Sequence, residues 1–263
     1  MAVAERGEDG AIGLESAMTM LTDPWPAPPD LPRPIVMNQW WKDAVFLHWR
    51  IPHAVAATYM PSGVAPDEFD GSAWVGLIGF RMQGAGLGNG PGVPYFGSFN
   101  EINVRLYSRE PDGTRGVVFL SLDASRLAVV VAARAAGIPY VWSRSRFRPA
   151  GADDPSTGYS VRRFRGGARS DFAVVPKVDV EATDPLSVHL TARFGLHSRF
   201  ADNSLYIPNT HRPWPLLTAE LTEVDDQLVA AVGLSVSGPP ESVLFSPGVW
   251  TQFGRPRVLA STR

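Results

Sequence analysis

Glu101, Asn103, Arg105 and Tyr107 alternate with Ile102, Val104 and Leu106 in the segment Phe99 to Ser108. Successive strand side chains point to opposite faces, so a strand here carries a carboxylate, an amide, a guanidinium and a phenol on one side and only branched aliphatics on the other. Such a row can line a polar cavity, and it equally suits a strand facing water. In a cavity, Glu101 can act as a base or an acid if burial raises its pKa. Arg105 can hold a carboxylate at two points, and Asn103 can hydrogen-bond a ligand between them. Glu101 and Arg105 lie four residues apart, about 13 Å along a strand, so they cannot pair directly and each needs another partner or a ligand. His48 and Arg50, on one face of the alternating run Phe46 to Ile51, are candidate partners and ligand-binding groups. A buried ion-pair network that only fixes the sheet would use the same residues.

The surrounding pattern is that of short strands. Trp74 to Met82 is β-prone and apolar on both faces except at Arg81, which places it inside a sheet. Pro111-Asp-Gly-Thr114 is a hairpin turn between the Glu101 strand and Gly116 to Leu122. Asp123 is then placed to cap a helix running to about Ala136, with Gly137 just past its end and Pro139 beyond. A shorter helix is expected from Pro52 to Tyr59. Val141 to Arg148 and Tyr159 to Arg165 read as an arginine-rich hairpin, internally paired or solvated because Asp153 and Asp154 sit in its loop. Leu186 to Phe194 reads as a strand, as do shorter runs toward the C-terminus. The fold class is mainly β (α+β): an antiparallel sheet rolled toward a barrel with a few flanking helices. Residues 1–35 include Asp23-Pro-Trp-Pro-Ala-Pro-Pro-Asp-Leu-Pro-Arg-Pro34 and read as a flexible proline-rich extension, ahead of a single domain over 36–263.

Several chemistries are removed by composition. The 263 residues contain no cysteine, so thiolate nucleophiles, disulfides and thiolate metal sites are excluded. The five histidines show no metal-binding spacing, and no metal or cofactor is expected. Gly84 to Gly92 follows a strand but fits no phosphate-loop register, and Pro91 and Pro94 block the helix such a loop needs; a mobile loop or lid is expected instead. Gly233 to Gly238 has the wrong spacing for a serine nucleophile. A formal net charge of −2 gives no reason to bind nucleic acid or an anionic membrane, and no apolar run is long enough to span one. With no secretory signal in the first twenty residues, a cytoplasmic protein is expected. Only two of the 24 basic residues are lysines, Lys42 and Lys177, so amine chemistry has few candidates.

Trp40-Trp41, His48-Trp-Arg50, Asp70-Gly-x-Ala-Trp-Val-Gly76, Phe80-x-Met82, Glu101-x-Asn-x-Arg-x-Tyr107, Phe119-x-Ser-Leu-Asp-Ala124, Pro139-Tyr140 and His211-x-Pro-Trp-Pro-Leu216 follow one another in order. Together they resemble the YqjF-like group of uncharacterised bacterial proteins over about residues 36 to 250. That group looks like a distant branch of the acetoacetate decarboxylase-like superfamily, which implies a β-barrel-like sheet, flanking helices and an internal pocket. The resemblance also implies a glutamate at Glu101 and an imine-forming lysine just after the Gly137-Ile-Pro139 corner. Here Tyr140 stands at that position, and a phenol cannot form an imine. Tyr140 can instead donate a hydrogen bond to a developing oxyanion.

Two functions are consistent with these residues. One is a cofactor-independent acid/base enzyme, lyase-like or isomerase-like, acting on a small carbonyl or carboxylate compound through Glu101 and Tyr140. The other is a non-catalytic sensor or carrier that binds a small organic anion in the same pocket. The partner expected is a small-molecule ligand, with neither nucleic acid nor membrane, and self-association is open.

Overall fold

The computed structural model describes residues 25–259 apart from residue 136. Residues 1–24 of the proline-rich extension, and the expected helix end at Ala136, lie outside the described residues. The strands are β1 (Met37–Ile51), β2 (Ala65–Pro66), β3 (Ala73–Leu87), β4 (Phe99–Arg109), β5 (Arg115–Ala124), β6 (Tyr140–Arg148), β7 (Thr157–Arg163), β8 (Arg169–Glu181), β9 (Gly195–Phe200), β10 (Asn203–His211), β11 (Leu217–Asp226), β12 (Ser242–Phe253) and β13 (Arg257–Val258). Four helices accompany them among the described residues: α1 (His53–Ala57), α2 (Leu127–Ala135), α3 (Pro185–Thr191) and α4 (Leu228–Ala231). None is long and apolar enough to cross a membrane.

All the strands join one sheet, in the order β13-β10-β9-β5-β6-β7-β8-β11-β12-β1-β3-β4-β2. Two further pairings close it on itself. β5 also pairs with β4, which completes a ring through β6, β7, β8, β11, β12, β1 and β3. β10 also pairs with β12, which completes a second ring through β9, β5, β4, β3 and β1. The arc β12-β1-β3-β4-β5 belongs to both rings, so its central strands are covered on both faces. That is why Trp74 to Phe80 is buried without alternation.

The shared arc turns opposite faces to the two interiors. Ile102, Val104 and Leu106 of β4 join Leu47, Tyr159 and Phe172 in the core of the first ring. Glu101, Asn103 and Arg105 face the second ring, level with Phe80, Ile78 and Gly76 of β3. Two β-bulges decide which side chains enter that second interior. On β5, Val104 opposes Ser121 while Arg105 opposes Phe119, and the extra residue lets Phe119 and Leu122 face the same hollow. On β1, Lys42 opposes Arg81 while Val45 opposes Gly79, with Asp43 held at φ 52°. Strict alternation back from Phe46 would turn Lys42 inward. The bulge turns Trp41 inward instead and leaves Lys42 beside Arg81 on the other face.

Two local expectations are corrected. Leu186 to Phe194 is mostly helix α3 rather than strand, because the Asp184 carboxylate caps it, accepting from Ser187 N at 3.0 Å, and Pro185 suits its first turn. Asp184→Ala is expected to lower stability by about 1 kcal/mol, read as a shifted urea midpoint at unchanged slope. Asp123 does not cap α2; it lies within β5, fully buried, accepting from Ser143 and Arg163. In residues 84–97, Gly92 packs closely, since a Cβ there would lie 2.7 Å from the Gly84 backbone, whereas Gly84 and Gly88 take positive φ angles of 63° and 57°. In the arginine-rich hairpin of β6 and β7, Arg148 pairs with Asp171 and Glu223.

Candidate active site

The second ring lines a partly open cavity of about 110 Å³. Its polar lining comes from Glu101, Asn103 and Arg105 of β4, Tyr140 at the start of β6, and Gln39 and Trp41 of β1. Its apolar lining includes Phe46, Ile78, Phe80, Phe119 and Trp214. Tyr140 reaches the hollow because β6 runs parallel to β5 at its start, with Tyr140 opposite Leu122, which itself opposes Asn103. The Gly137 corner, at φ 78°, turns the chain from α2 into that strand.

Glu101 is 2% exposed. The Tyr140 hydroxyl donates to its Oε2 at 2.6 Å, and Asn103 Nδ2 donates to its Oε1 at 3.3 Å. Burial pushes the Glu101 carboxyl up to about 7, against these two hydrogen bonds and the Arg105 charge, which pull it down. Burial and the neighbouring Glu101 push the Tyr140 phenol well above its usual range, so it stays a donor. The Glu101–Tyr140 pair therefore gains or loses one proton near neutral pH.

That shift ties stability to pH. Unfolded, the Glu101 carboxyl ionises near 4.5; folded, it holds its proton to about 7. Its contribution to stability is thus fully present below pH 4.5 and is lost as pH rises through about 7. Glu101→Gln removes this dependence, so chemical denaturation should show the variant gaining on the parent protein between about pH 5 and pH 8.

Arg105 is half-buried and has no carboxylate within salt-bridge distance among the described residues. Its Nε donates to the Tyr107 hydroxyl and its Nη2 to the Leu190 carbonyl, each at 3.4 Å. The rings of Phe46 and Tyr107 flank it at 5.8 and 5.5 Å. Three polar atoms on the wall also lack a partner: Gln39 Oε1, Trp41 Nε1 and Asn103 Oδ1. Unmet buried groups are costly in a folded protein, and here a cation, an N–H donor and two acceptors share one small space.

A family model described as "Uncharacterized conserved protein (COG2071)" matches residues 38–250. The chain belongs to this family, DUF2071. "Uncharacterized protein YqjF" of Bacillus subtilis (strain 168) is 28% identical over 211 residues, covering 79% of this chain and 84% of that protein. Among solved structures, an acetoacetate decarboxylase-like enzyme from Sphingomonas wittichii RW1 aligns with a TM-score of 0.60 at 12% identity, over 92% of this chain and 98% of that one. Acetoacetate decarboxylase from Legionella pneumophila aligns with a TM-score of 0.60 at 11% identity, over 99% of each chain. This DUF2071 protein has the acetoacetate decarboxylase-like fold.

Not every residue singled out in the sequence reaches the cavity of this DUF2071 chain. Arg50 lies outside it, near the end of β1, bonded to Glu241 at 2.8 Å and Asp70 at 3.3 Å, with its guanidinium 4.7 Å from the Trp74 ring centre. It follows the alternation that places it on the cavity face, but β1 has by then run past the hollow. His48 is fully buried beside Phe46 and Tyr107, with Nδ1 3.3 Å from Ser242 Oγ, and does not border the cavity. Burial, then the Arg105 charge, pushes it well below its ordinary range, so it is a neutral packing group. Gly76 makes that packing feasible, since a Cβ there would lie 2.9 Å from the Tyr107 hydroxyl and 3.1 Å from the His48 ring. Neither Lys42 nor Lys177 borders the cavity.

Sequence reasoning missed Gln39 and Trp41 as cavity groups. Trp41 appeared only within a motif, and the bulge at Asp43 that turns it inward leaves no sequence signal. Among the described residues no three His, Asp or Glu side chains converge as a metal site.

Proposed function

We propose that this protein catalyses proton transfer at the carbon next to a carbonyl in a small organic acid or ketone, without an imine and without a cofactor. The observation that carries the reading is the buried Glu101 carboxyl on the cavity wall, hydrogen-bonded to Tyr140 and pushed up to about 7 by burial. A base poised near the working pH combines adequate ionised population with adequate basicity. In its ionised form Glu101 takes the proton from carbon. The electron pair left behind moves onto the carbonyl oxygen, and a donor must meet the charge there. Tyr140 can redirect its O–H to that oxygen, and the Trp41 indole N–H is a second donor with no competing partner. Glu101, now protonated, returns the proton to the same or a neighbouring carbon. Arg105 fixes the substrate carboxylate, and the aromatic wall keeps bulk water from quenching the carbanion.

The test is deuterium uptake at the carbons flanking the carbonyl of short ketones and oxo acids in D₂O, followed by proton NMR. The expected result is uptake well above the buffer rate, rising with pH through about 7 as Glu101 ionises. Binding without any uptake would support the sensor or carrier reading instead.

A further inference from the structure

Next to Arg105 lies an alcove of about 40 Å³, bordered by Arg105, Arg193, Thr191, Asn209 and Trp214. The alcove and the main cavity share Trp41, Arg105, Phe119, Leu196, Trp214 and Phe253, so Arg105 borders both. Neither Glu101 nor Tyr140 borders the alcove.

Arg193 follows α3 and is 4% exposed. Its Nη1 binds Asp67 Oδ2 at 2.5 Å and its Nε donates to the His189 carbonyl at 2.7 Å. Its Nη2 is buried with no partner. Asn209 is also buried, and its Oδ1 has no partner. A half-turn of that amide exchanges its oxygen for its NH₂, so it can meet either a donor or an acceptor.

The local charge is unbalanced. Asp67 is shared by Arg193, Arg115 at 2.6 Å and Arg109 at 4.0 Å, so one carboxylate faces three guanidiniums. His189 adds no compensating charge, because burial and the flanking Arg193 and Arg115 push it down to about 3. Arg105 brings a further cation to the same wall. A desolvated positive surplus with an unmet N–H is a setting that favours an anion with two acceptor oxygens.

We propose that the alcove holds the carboxylate of an oxo acid whose carbonyl lies several carbons away, beside Glu101 and Tyr140. In a 2-oxo acid the carboxylate and carbonyl carbons are directly bonded, so such a molecule cannot place one group between Arg105 and Arg193 and the other against the acid pair. A 4-oxo acid has two methylenes between them. The cavity, of about 110 Å³, would take its ketone end and the alcove, of about 40 Å³, its carboxylate. The inference rests on the cavity being a ligand site, as proposed above, and not on the chemistry of Glu101.

Titration calorimetry on the full chain with three matched five-carbon probes tests this: 4-oxopentanoate, 2-oxopentanoate and pentan-2-one. The expected order is 4-oxopentanoate about tenfold or more tighter than either of the others, the effect of a charged hydrogen bond gained in the alcove. Asn209→Asp places a fixed carboxylate beside Arg193 and should weaken 4-oxopentanoate by about tenfold or more, leaving pentan-2-one within about twofold. If 4-oxopentanoate binds no tighter than the other two, the inference is overturned without any variant being needed. It is also overturned if the folded variant keeps the parent's affinity for 4-oxopentanoate. The two proposals can fail separately. Should the ligand order hold while deuterium uptake ignores Glu101, the alcove stands and proton transfer falls; the converse result removes the alcove alone.

Discussion

Glu101→Gln is expected to reduce deuterium uptake by about 10²- to 10⁴-fold while changing ligand affinity by no more than about threefold. Glutamine keeps the shape of the side chain and can still accept from Tyr140, so the cavity wall is retained. What it loses is the ability to take a proton from carbon at any pH. A substitution that removes an interaction made only in the transition state lowers turnover and leaves ground-state binding nearly intact. Tyr140→Phe should act more weakly, because Trp41 remains as a donor to the developing charge. Parallel NMR rates and calorimetric affinities for the parent protein and both variants separate these effects. Equal rates in the parent protein and Glu101→Gln would remove Glu101 from the chemistry.

Asp123→Ala is expected to carry the largest stability loss, about 3–5 kcal/mol in urea denaturation. Asp123 is fully buried, and its Oδ1 and Oδ2 each accept from Arg163 at 2.9 Å, with Ser143 Oγ at 2.5 Å. Arg163 is itself only 11% exposed on its side chain and also donates to Ser121. Removing the carboxylate strands a guanidinium in the interior, and that uncompensated charge accounts for most of the loss. Replacing both partners by leucine should recover much of it, since the cost lies in leaving one charge alone. The pair also touches the chemistry, because the Asp123 charge is one of the influences holding Glu101 high. In Asp123→Asn, if folded, the pH at which Glu101 titrates should fall.

The chemical row on β4 was legible because alternation of residue type survives even where both faces are buried. Ile102, Val104 and Leu106 enter one core while Glu101, Asn103 and Arg105 line the other interior, and the sequence records that division directly. The hairpin turn was equally clear, with Gly113 at φ 92°. What stayed hidden depends on pairing between distant strands. Whether Trp41 or Lys42 points inward is set by a bulge at Asp43, which needs the register of β1 on β3 to be seen. Arg193 lies far from Arg105 in sequence and meets it only when β9 pairs with β5 and closes the second ring. Helix α3 was misread because a short apolar run gives the same pattern for a strand as for a buried helix, and the signal that separates them is the Asp184-Pro185 start. The reach of Arg50 could not be judged without knowing where along β1 the hollow ends.

An infrared titration of the protein labelled with ¹³C-carboxyl glutamate, taken as the difference between the parent protein and Glu101→Gln, reads the Glu101 proton itself. A protonated carboxyl band belonging to Glu101 should persist at about pH 6 and disappear as the pH passes through about 7. A band already lost near pH 4.5, as for an ordinary solvated glutamate, would contradict it.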